Sequence, residues 1–286
     1  MHKSSSTSTK LHHLCLVAAA LCATPLVSAA QGVNLTLGLT DFTTWSLFGT
    51  ATALNETPGN GFTYSTLRLT FPGTGGSAGA GFAPDAIVLD VNQSFTFDFN
   101  FFIPQNPGTR GDGFTFTLAG APAVGFGGSS LGYGGLPANS VAFAVDTFNF
   151  SGEPISPSIQ ILQGGAITPL AFVETGLGDT IEDLDFQWRG TVIYTPSGND
   201  DEMGALNGTI THLNLGTFSV SADVDLSGLG NSVSGGHEVF FGFTAGNGLA
   251  DDGHFITTAA PVPLPAAFWL LGSALAAVGV SRRRKS

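Results

Sequence analysis

The middle of the chain consists of short runs in which apolar and polar residues alternate. Ser94–Phe101 reads SFTFDFNF and contains four phenylalanines at every second position. Side chains two residues apart point to the same face of a strand, so this run is typical of a half-buried strand. The alternation recurs at 114–118, 141–145 and 239–243. We predict strands at all four positions.

Turn signals separate these runs. Pro58-Gly59, Asn106-Pro107-Gly108 and Ser197-Gly198-Asn199-Asp200 are sequences that favour tight turns. The middle has no convincing apolar period of 3.6 residues and no internal repeat. Short strands joined by glycine-rich turns predict an all-β fold, a single antiparallel sandwich domain of the jelly-roll type.

The first thirty residues have the features of a secretory signal peptide. A polar, basic start is followed by an apolar stretch at 14–27 and by the small-residue pattern Val27-Ser28-Ala29. The stretch is too short to span a bilayer as a helix. Both cysteines, Cys15 and Cys22, lie within it. We therefore expect residues 1–30 to be removed and the exported domain to depend on a packed core rather than on disulfides.

The charge of the middle is strongly negative. Six of the nine basic residues lie in the terminal segments, so residues 31–260 combine three arginines with all twenty-one acidic residues, a formal charge near −18 (3 − 21). Such a field repels nucleic acid and anionic membranes, and we predict that the domain binds neither. Two readings remain open: a surface kept soluble by carboxylates, or one that attracts divalent cations.

The C-terminal residues 261–286 read PVPLPAAFWLLGSALAAVGVSRRRKS. The apolar run Ala266–Val280 followed by the basic cluster Arg282–Lys285 is compatible with a short single-pass anchor whose basic end stays cytoplasmic. The order VPLPA, apolar run and arginine cluster also resembles the PEP-CTERM sorting signals of bacteria. That resemblance implies recognition by an exosortase-type enzyme and delivery to the cell surface or extracellular matrix. We predict that 259–286 is a sorting signal or transmembrane anchor and that only this segment contacts the membrane.

Enzymatic chemistry has weak support. Residues 75–79 fit the G-x-S-x-G pattern of serine hydrolases, but AGAGFAPDAIVLD, which follows Ser77, cannot begin the helix which that motif needs. The acidic clusters at 182–185 and 200–202 flank turns, without the paired strand carboxylates of sandwich glycosidases. Three histidines are isolated, and we predict ordinary surface or rim residues rather than zinc ligands for His212, His237 and His254. The sequence therefore predicts that the protein is not an enzyme.

Several segments of the middle, in order along the chain, resemble the legume-type (L-type) lectins. They are GGSAGAGF at 75–82, GDGFTFTLAG at 111–120, FGGSSLGYGGLP at 126–137, NSVAFAVDTF at 139–148 and VFFGFTAGNG at 239–248. The resemblance implies a concanavalin-like jelly roll over residues 31–258 that binds carbohydrate.

The resemblance also implies a sugar site at one end of the sandwich. Asp112 would accept hydrogen bonds from sugar hydroxyls, Gly128 would offer its backbone N–H, and Phe148 would pack against the sugar ring. The complete implied set is Asp112, Gly128, Phe148, Asn149, Asn247 and Gly248. The family often holds its aspartate after a cis peptide bond, so Gly111–Asp112 is expected to be cis. The alternative is that these segments form turns without any ligand.

The metal loop of the family is only partly preserved. A transition metal would need a glutamate where this chain has Ala144 and a histidine where it has Ser158, so no transition metal is expected. The calcium ligands are matched in type by Asp146, the Phe148 carbonyl, Asn149 and Glu153, although the loop is one or two residues shorter than usual. The alternative is a loop closed by hydrogen bonds.

Together these patterns predict an exported surface or matrix protein that binds carbohydrate, in particular extracellular polysaccharide, with calcium ordering its loop. Two alternatives stay open at this point. The first is a structural surface or matrix protein with a degenerate sugar site, and the second is a glycan hydrolase on the same sandwich.

Overall fold

The computed structural model describes residues 34–36, 41–56, 64–104, 110–199 and 201–258. The signal peptide predicted at 1–30, the sorting signal or anchor predicted at 259–286 and the turns predicted at 58–59 and 106–108 lie outside these residues. They stay predictions. Within the described part, no helix is long and apolar enough to cross a membrane.

The described residues form two β-sheets, with strands numbered here in chain order. The first sheet contains β1 (Asn34–Thr36), β3 (Thr52–Glu56), β4 (Tyr64–Arg68), β7 (Phe95–Ile103), β12 (Asp183–Pro196), β13 (Met203–His212), β14 (Gly216–Asp225) and β17 (Phe255–Thr257). The second contains β2 (Ser46–Gly49), β5 (Ala78–Phe82), β6 (Ile87–Leu89), β8 (Gly113–Ala119), β9 (Ser140–Asp146), β10 (Ser158–Gln163), β11 (Ala171–Glu174), β15 (Asn231–Val233) and β16 (Gly236–Gly246). Short 3-10 helices cover Phe42–Thr44, Gly128–Ser130 and Gly178–Ile181.

Most strand pairs are antiparallel. The first sheet has the order β14-β13-β12-β7-β17-β4-β3, with β1 parallel to β7. The second has the order β11-β10-β9-β8-β16-β5-β2, and β6 and β15 pair with β16. The predicted all-β antiparallel sandwich is confirmed.

The core lies between the sheets and is rich in phenylalanine. Phe95, Phe97, Phe99 and Phe101 of β7 are each at most 2% exposed, as the alternating pattern predicted. Across the core, Phe99 stacks on Phe116 at 5.9 Å between ring centroids and meets Phe243 edge-on at 4.9 Å. Offset and edge-on aromatic pairs are favourable arrangements beyond simple burial.

The surface or rim positions predicted for three histidines were wrong. His212, His237 and His254 are all buried. Each ring finds partners inside the fold: Nδ1 of His212 accepts from the Asn214 N–H, and the other two rings lie 2.6 Å from Leu229 O and 2.7 Å from Thr70 Oγ1. Histidine rings with such partners pack as interior groups, and an isolated histidine in a sequence gives no sign of these partners.

The register of three neighbouring strands positions the candidate site. Gly113, the first residue of β8, pairs with Asp146 at the end of β9 and with Gly246 at the end of β16. Asp112, just before β8, therefore meets the segments that follow β9 and β16. Residues far apart in sequence come together at one end of the second sheet.

Candidate functional site

An open depression of about 690 Å³ lies at this end of the second sheet. Its lining comes from five loops and consists of Gly75, Gly76, Asp112, Gly127, Gly128, Ser129, Phe148, Phe150, Gly248 and Leu249. We call this surface the depression. Four of the residues that the resemblance implied, Asp112, Gly128, Phe148 and Gly248, lie on it.

Asp112 lies in the depression and is only 3% exposed. Its Oδ2 accepts a hydrogen bond from the Gly248 N–H, and its backbone carbonyl accepts from the Thr147 N–H at 2.9 Å. Apart from the backbone N–H of Asp112 itself, no described residue donates to the other carboxylate oxygen, Oδ1. Burial, with a smaller effect from the charge of Glu153, raises the pKa of Asp112 to about 6. Asp112 is thus a fixed acceptor with one oxygen available to a ligand.

The peptide bond before Asp112 is trans, so the expected cis bond was wrong; among the described residues only Ser156–Pro157 is cis. With a trans bond the aspartate still reaches Gly248. Two contacts hold it there: the Gly111 N–H donates to Asp252 at 2.9 Å, and the Thr147 hydroxyl donates to the Gly111 carbonyl.

Gly128 lies on the depression, but its N–H has another partner. That N–H donates to the Asn247 carbonyl at 3.0 Å instead of pointing to a ligand, which corrects the expected role. Gly128 has φ of 65°, a left-handed conformation that favours glycine. Gly248 faces it, and a Cβ at Gly248 would lie 3.0 Å from Asp112 Oδ2. No side chain of these two residues therefore stands over the carboxylate.

The walls of the depression are more apolar than the sequence indicated. Phe148 was implied by the resemblance, whereas Phe150, Leu249 and Ser129 were missed. Phe150 is 57% exposed, and the Leu249 side chain is completely exposed. Exposed side chains of this size beside a carboxylate provide a surface for the C–H face of a sugar. Ser129 adds a hydroxyl.

Neither asparagine of the implied set lines the depression with its side chain. The Asn149 Nδ2 donates to the carbonyls of Glu153 and Pro154, at 3.3 and 2.8 Å, so this amide closes its own loop. Phe150 rather than Asn149 lines the depression. Asn247 is fully buried, and its Nδ2 donates to the carbonyls of Phe71 and Asp252 at 3.1 and 3.0 Å. Asn247 holds the loop that carries Gly248.

The loop that follows β9 offers oxygens to a hard cation. The Phe150 N–H donates to Glu153 Oε2 at 2.7 Å, so the Glu153 carboxylate is held against the backbone of its own loop. No described residue donates to Glu153 Oε1, to the Asn149 side-chain oxygen or to the Phe148 carbonyl. Together with Asp146 these are the ligand types that calcium takes. Among the described residues no three His, Cys, Asp or Glu side chains form a metal cluster, so calcium would depend on the amide and carbonyl oxygens.

Asp146 is surrounded by protein donors. Its Oδ1 accepts from the Phe148 N–H at 3.1 Å and the Ser156 hydroxyl at 2.9 Å, and its Oδ2 accepts from Gln160 Nε2 at 2.8 Å. Burial is the main reason that the pKa of Asp146 rises to about 7, and the charge of Glu153 adds to it.

A transition metal does not fit beside Asp146. Ala144 supplies no donor atom, and the Ser158 hydroxyl accepts from Gln160 at 2.9 Å. Gln160 lies directly opposite Ala144 in the β9–β10 ladder, so an amide occupies the face on which the resemblance would put an ion. The sequence analysis did not single out Gln160, since one glutamine in the strand SIQILQ carries no sign of its partner.

Several solved lectin structures are similar to this chain. A lectin from Bauhinia forficata in complex with GalNAc is 21% identical, with 77% of this chain and 90% of that chain covered and a TM-score of 0.58. The basic winged bean lectin with Tn-antigen is 22% identical, with 74% and 89% covered and a TM-score of 0.55. The exoplasmic/lumenal domain of VIP36 in its Ca²⁺/Man3GlcNAc-bound form is 17% identical, with 75% and 84% covered and a TM-score of 0.51.

These likenesses establish the fold. The chain has the sandwich of the legume lectins and of VIP36, the L-type lectin fold, which confirms that part of the resemblance. No protein-family model and no curated protein matches the sequence. At these identities the function must be argued from the residues of this chain.

Proposed function

We propose that this protein binds carbohydrate in the depression, with Asp112 as the acceptor of sugar hydroxyls. The observation that carries the proposal is a buried carboxylate, open on one oxygen, between exposed apolar side chains. A carboxylate in a site of low dielectric makes strong hydrogen bonds to hydroxyl donors. Phe148, Phe150 and Leu249 suit the apolar face of a pyranose, and the depression has the volume of a small-ligand site.

Calcium is part of the proposal. Asp146, the Phe148 carbonyl, Asn149 and Glu153 would hold the ion, which would neutralise carboxylates in a domain that has few basic residues. Bound calcium would supply fixed positive charge beside the depression and would hold the segment that carries Phe148 and Phe150. The solved VIP36 domain is described as Ca²⁺-bound, which supports this part of the proposal by fold alone.

The proposed ligand is an extracellular polysaccharide met outside the cell. The signal peptide predicted at 1–30 and the VPLPA-type segment predicted at 259–286 support export followed by delivery to the cell surface or matrix, with an exosortase-type enzyme as processing partner. The strongly acidic middle supports the absence of nucleic acid as a partner. We propose that the protein is not an enzyme.

One observation favours a second candidate. The Gly128 N–H and the Asn149 amide, two polar groups implied for the sugar, are engaged within the protein. A structural surface or matrix protein that keeps the fold but has lost sugar binding would have this feature. It predicts no glycan binding in any condition, whereas the first candidate needs only Asp112 and the apolar walls.

A glycan array with the full chain in calcium distinguishes the two candidates. We expect binding to a defined set of glycans, lost in Asp112→Ala and retained in Asp223→Ala, whose carboxylate is exposed on β14. Thermal melting of both variants reports whether they fold. Absence of binding by the folded wild type, or undiminished binding by folded Asp112→Ala, would contradict the proposal.

A further inference from the structure

We propose that Gln160 is a positioning residue: its amide holds the Asp146 carboxylate and so orders the loop from Asp146 to Ser156 before any cation or ligand binds. The part of this inference that concerns sugar binding rests on the function proposed above. The order of the loop does not, and it can be measured without any sugar.

The contact between Gln160 and Asp146 is buried. Gln160 is 2% exposed and Asp146 is 4% exposed. Nε2 of Gln160 donates to Asp146 Oδ2 at 2.8 Å and to Ser158 Oγ at 2.9 Å, so both of its amide hydrogens have acceptors. A buried carboxylate needs such donors, because leaving it without partners carries a large desolvation penalty.

Strand pairing fixes this geometry. In the β9–β10 ladder Ser158 is opposite Asp146 and Gln160 is opposite Ala144. Residues that are opposite each other, or two apart on one strand, share a face, so all four side chains point to the same side of the sheet. Ala144 has only a methyl group on this side of the sheet, so there is space beside it for the longer Gln160 side chain.

The donors to Asp146 are all neutral. Phe148, Ser156 and Gln160 donate an amide N–H, a hydroxyl and a side-chain amide. Among the described residues Asp146 forms no salt bridge. Arg110 and Arg189 pair with Asp179 and Asp98, and Arg68 lies over the Phe71 ring at 3.5 Å from its centroid. Gln160 therefore supplies a donor where neither a basic side chain nor a transition metal is placed.

The network continues to the depression. Asp146 Oδ1 holds the N–H of Phe148, which lines the depression. The next residue along the chain from Asp146 is Thr147, whose N–H donates to the Asp112 carbonyl at 2.9 Å. A displacement of Asp146 would thus change both the aromatic wall and the segment that carries Asp112. Gln160 acts on the site through Asp146 and touches no ligand itself.

Hydrogen exchange of the full chain in EGTA tests this inference. We expect the peptide covering 147–156 to be protected in wild type without calcium. Gln160→Glu keeps the shape but places a second carboxylate against Asp146, and exchange in this peptide should become roughly tenfold faster or more. Gln163→Glu on the same strand, which does not contact Asp146, is the matched control and should match wild type in this peptide.

A reversed pair gives a second test. In the double variant Asp146→Asn with Gln160→Glu, the new amide can donate to the new carboxylate, while its oxygen still accepts from Phe148 and Ser156. We expect protection of 147–156 to return in EGTA. Calcium, added as the chloride, should bind less tightly because one carboxylate ligand is gone.

Three results would overturn the inference. They are a wild-type loop that is protected only with calcium, a Gln160→Glu loop that exchanges like wild type, and a reversed pair that restores nothing. The first of these results is measured on the wild-type protein, so it does not depend on whether a variant folds. Loop protection as expected together with an empty glycan array would overturn the proposed function and leave this inference standing.

Discussion

The carboxylate of Asp112 accepts a hydrogen bond from the backbone N–H of Gly248, although 136 positions separate the two residues. This contact joins the start of β8 to the loop after β16 and fixes Asp112 in the lining of the depression. A Cβ at Gly248 would lie 3.0 and 3.3 Å from the two carboxylate oxygens. The absence of a side chain at Gly248 keeps the proposed acceptor accessible.

Gly248→Ala should therefore weaken sugar binding with little effect on folding. Its methyl group would stand over the carboxylate, and we expect the Kd for a glycan selected on the array to rise about tenfold or more, equivalent to about 1.4 kcal/mol. Titration calorimetry measures this. Gly228→Ala is the control, because a Cβ there meets nothing within 4 Å. An unchanged Kd in Gly248→Ala would place the sugar elsewhere.

Phe150→Ala should reduce affinity while leaving stability nearly unchanged. The ring is 57% exposed, so its removal leaves no large cavity, but it removes an aromatic wall of the depression. We expect a loss of about 0.5–1.5 kcal/mol in binding. Phe172→Ala is the matched control, since that ring is 49% exposed and lies outside the depression. Equal effects of the two variants would contradict a role for Phe150.

Calcium should raise the melting temperature, because a ligand that binds only the folded state stabilises that state by mass action. At a calcium concentration a hundredfold above Kd, the free energy of unfolding rises by about 2.7 kcal/mol. Melting in EGTA and then in millimolar calcium measures the shift. Glu153→Gln should reduce it, and Glu238→Gln, at the other end of β16, should not. No shift for wild type would contradict the calcium site.

Asp252 should make stability depend on pH. Burial raises the pKa of its carboxyl from 3.8 to about 8. Between these values the folded state holds a proton that the unfolded state releases, so the contribution is full below the ordinary pKa and is lost as pH rises towards 8. Asp252→Asn cannot ionise, and its free energy of unfolding should fall less from pH 5 to 8. Urea unfolding measures both slopes, and equal slopes would contradict this assignment.

The sequence was sufficient for the parts of the fold that depend on periodicity. Alternation over Ser94–Phe101 identified the buried face of β7, because a period of two can satisfy only a strand. Resemblance over short segments brought Asp112 and Gly248 to one end of the sandwich. Both features, the buried face of β7 and the meeting of Asp112 with Gly248, follow from the pairing of backbone strands.

The details that sequence missed depend on side chains that meet across the fold. The Asn149 amide donates to the carbonyls of Glu153 and Pro154, and Phe150 lines the depression instead. Asn247 is buried because Phe71 and Asp252 provide acceptors for it. Gln160 became informative only when its amide was found on Asp146. A local sequence pattern does not predict hydrogen bonds between side chains and groups that are distant in sequence.

The central claim, that the depression binds carbohydrate, is tested most directly by amide chemical shifts of the full chain during titration with a glycan selected on the array. We expect the largest shifts at Ser129, Phe150 and Gly248, which line the depression, and none at Gly236, at the opposite end of β16 and roughly 30 Å away for an 11-residue strand. Chemical-shift changes centred on Gly236 would contradict the claim. So would the absence of shift changes at the residues of the depression when the glycan is at a saturating concentration.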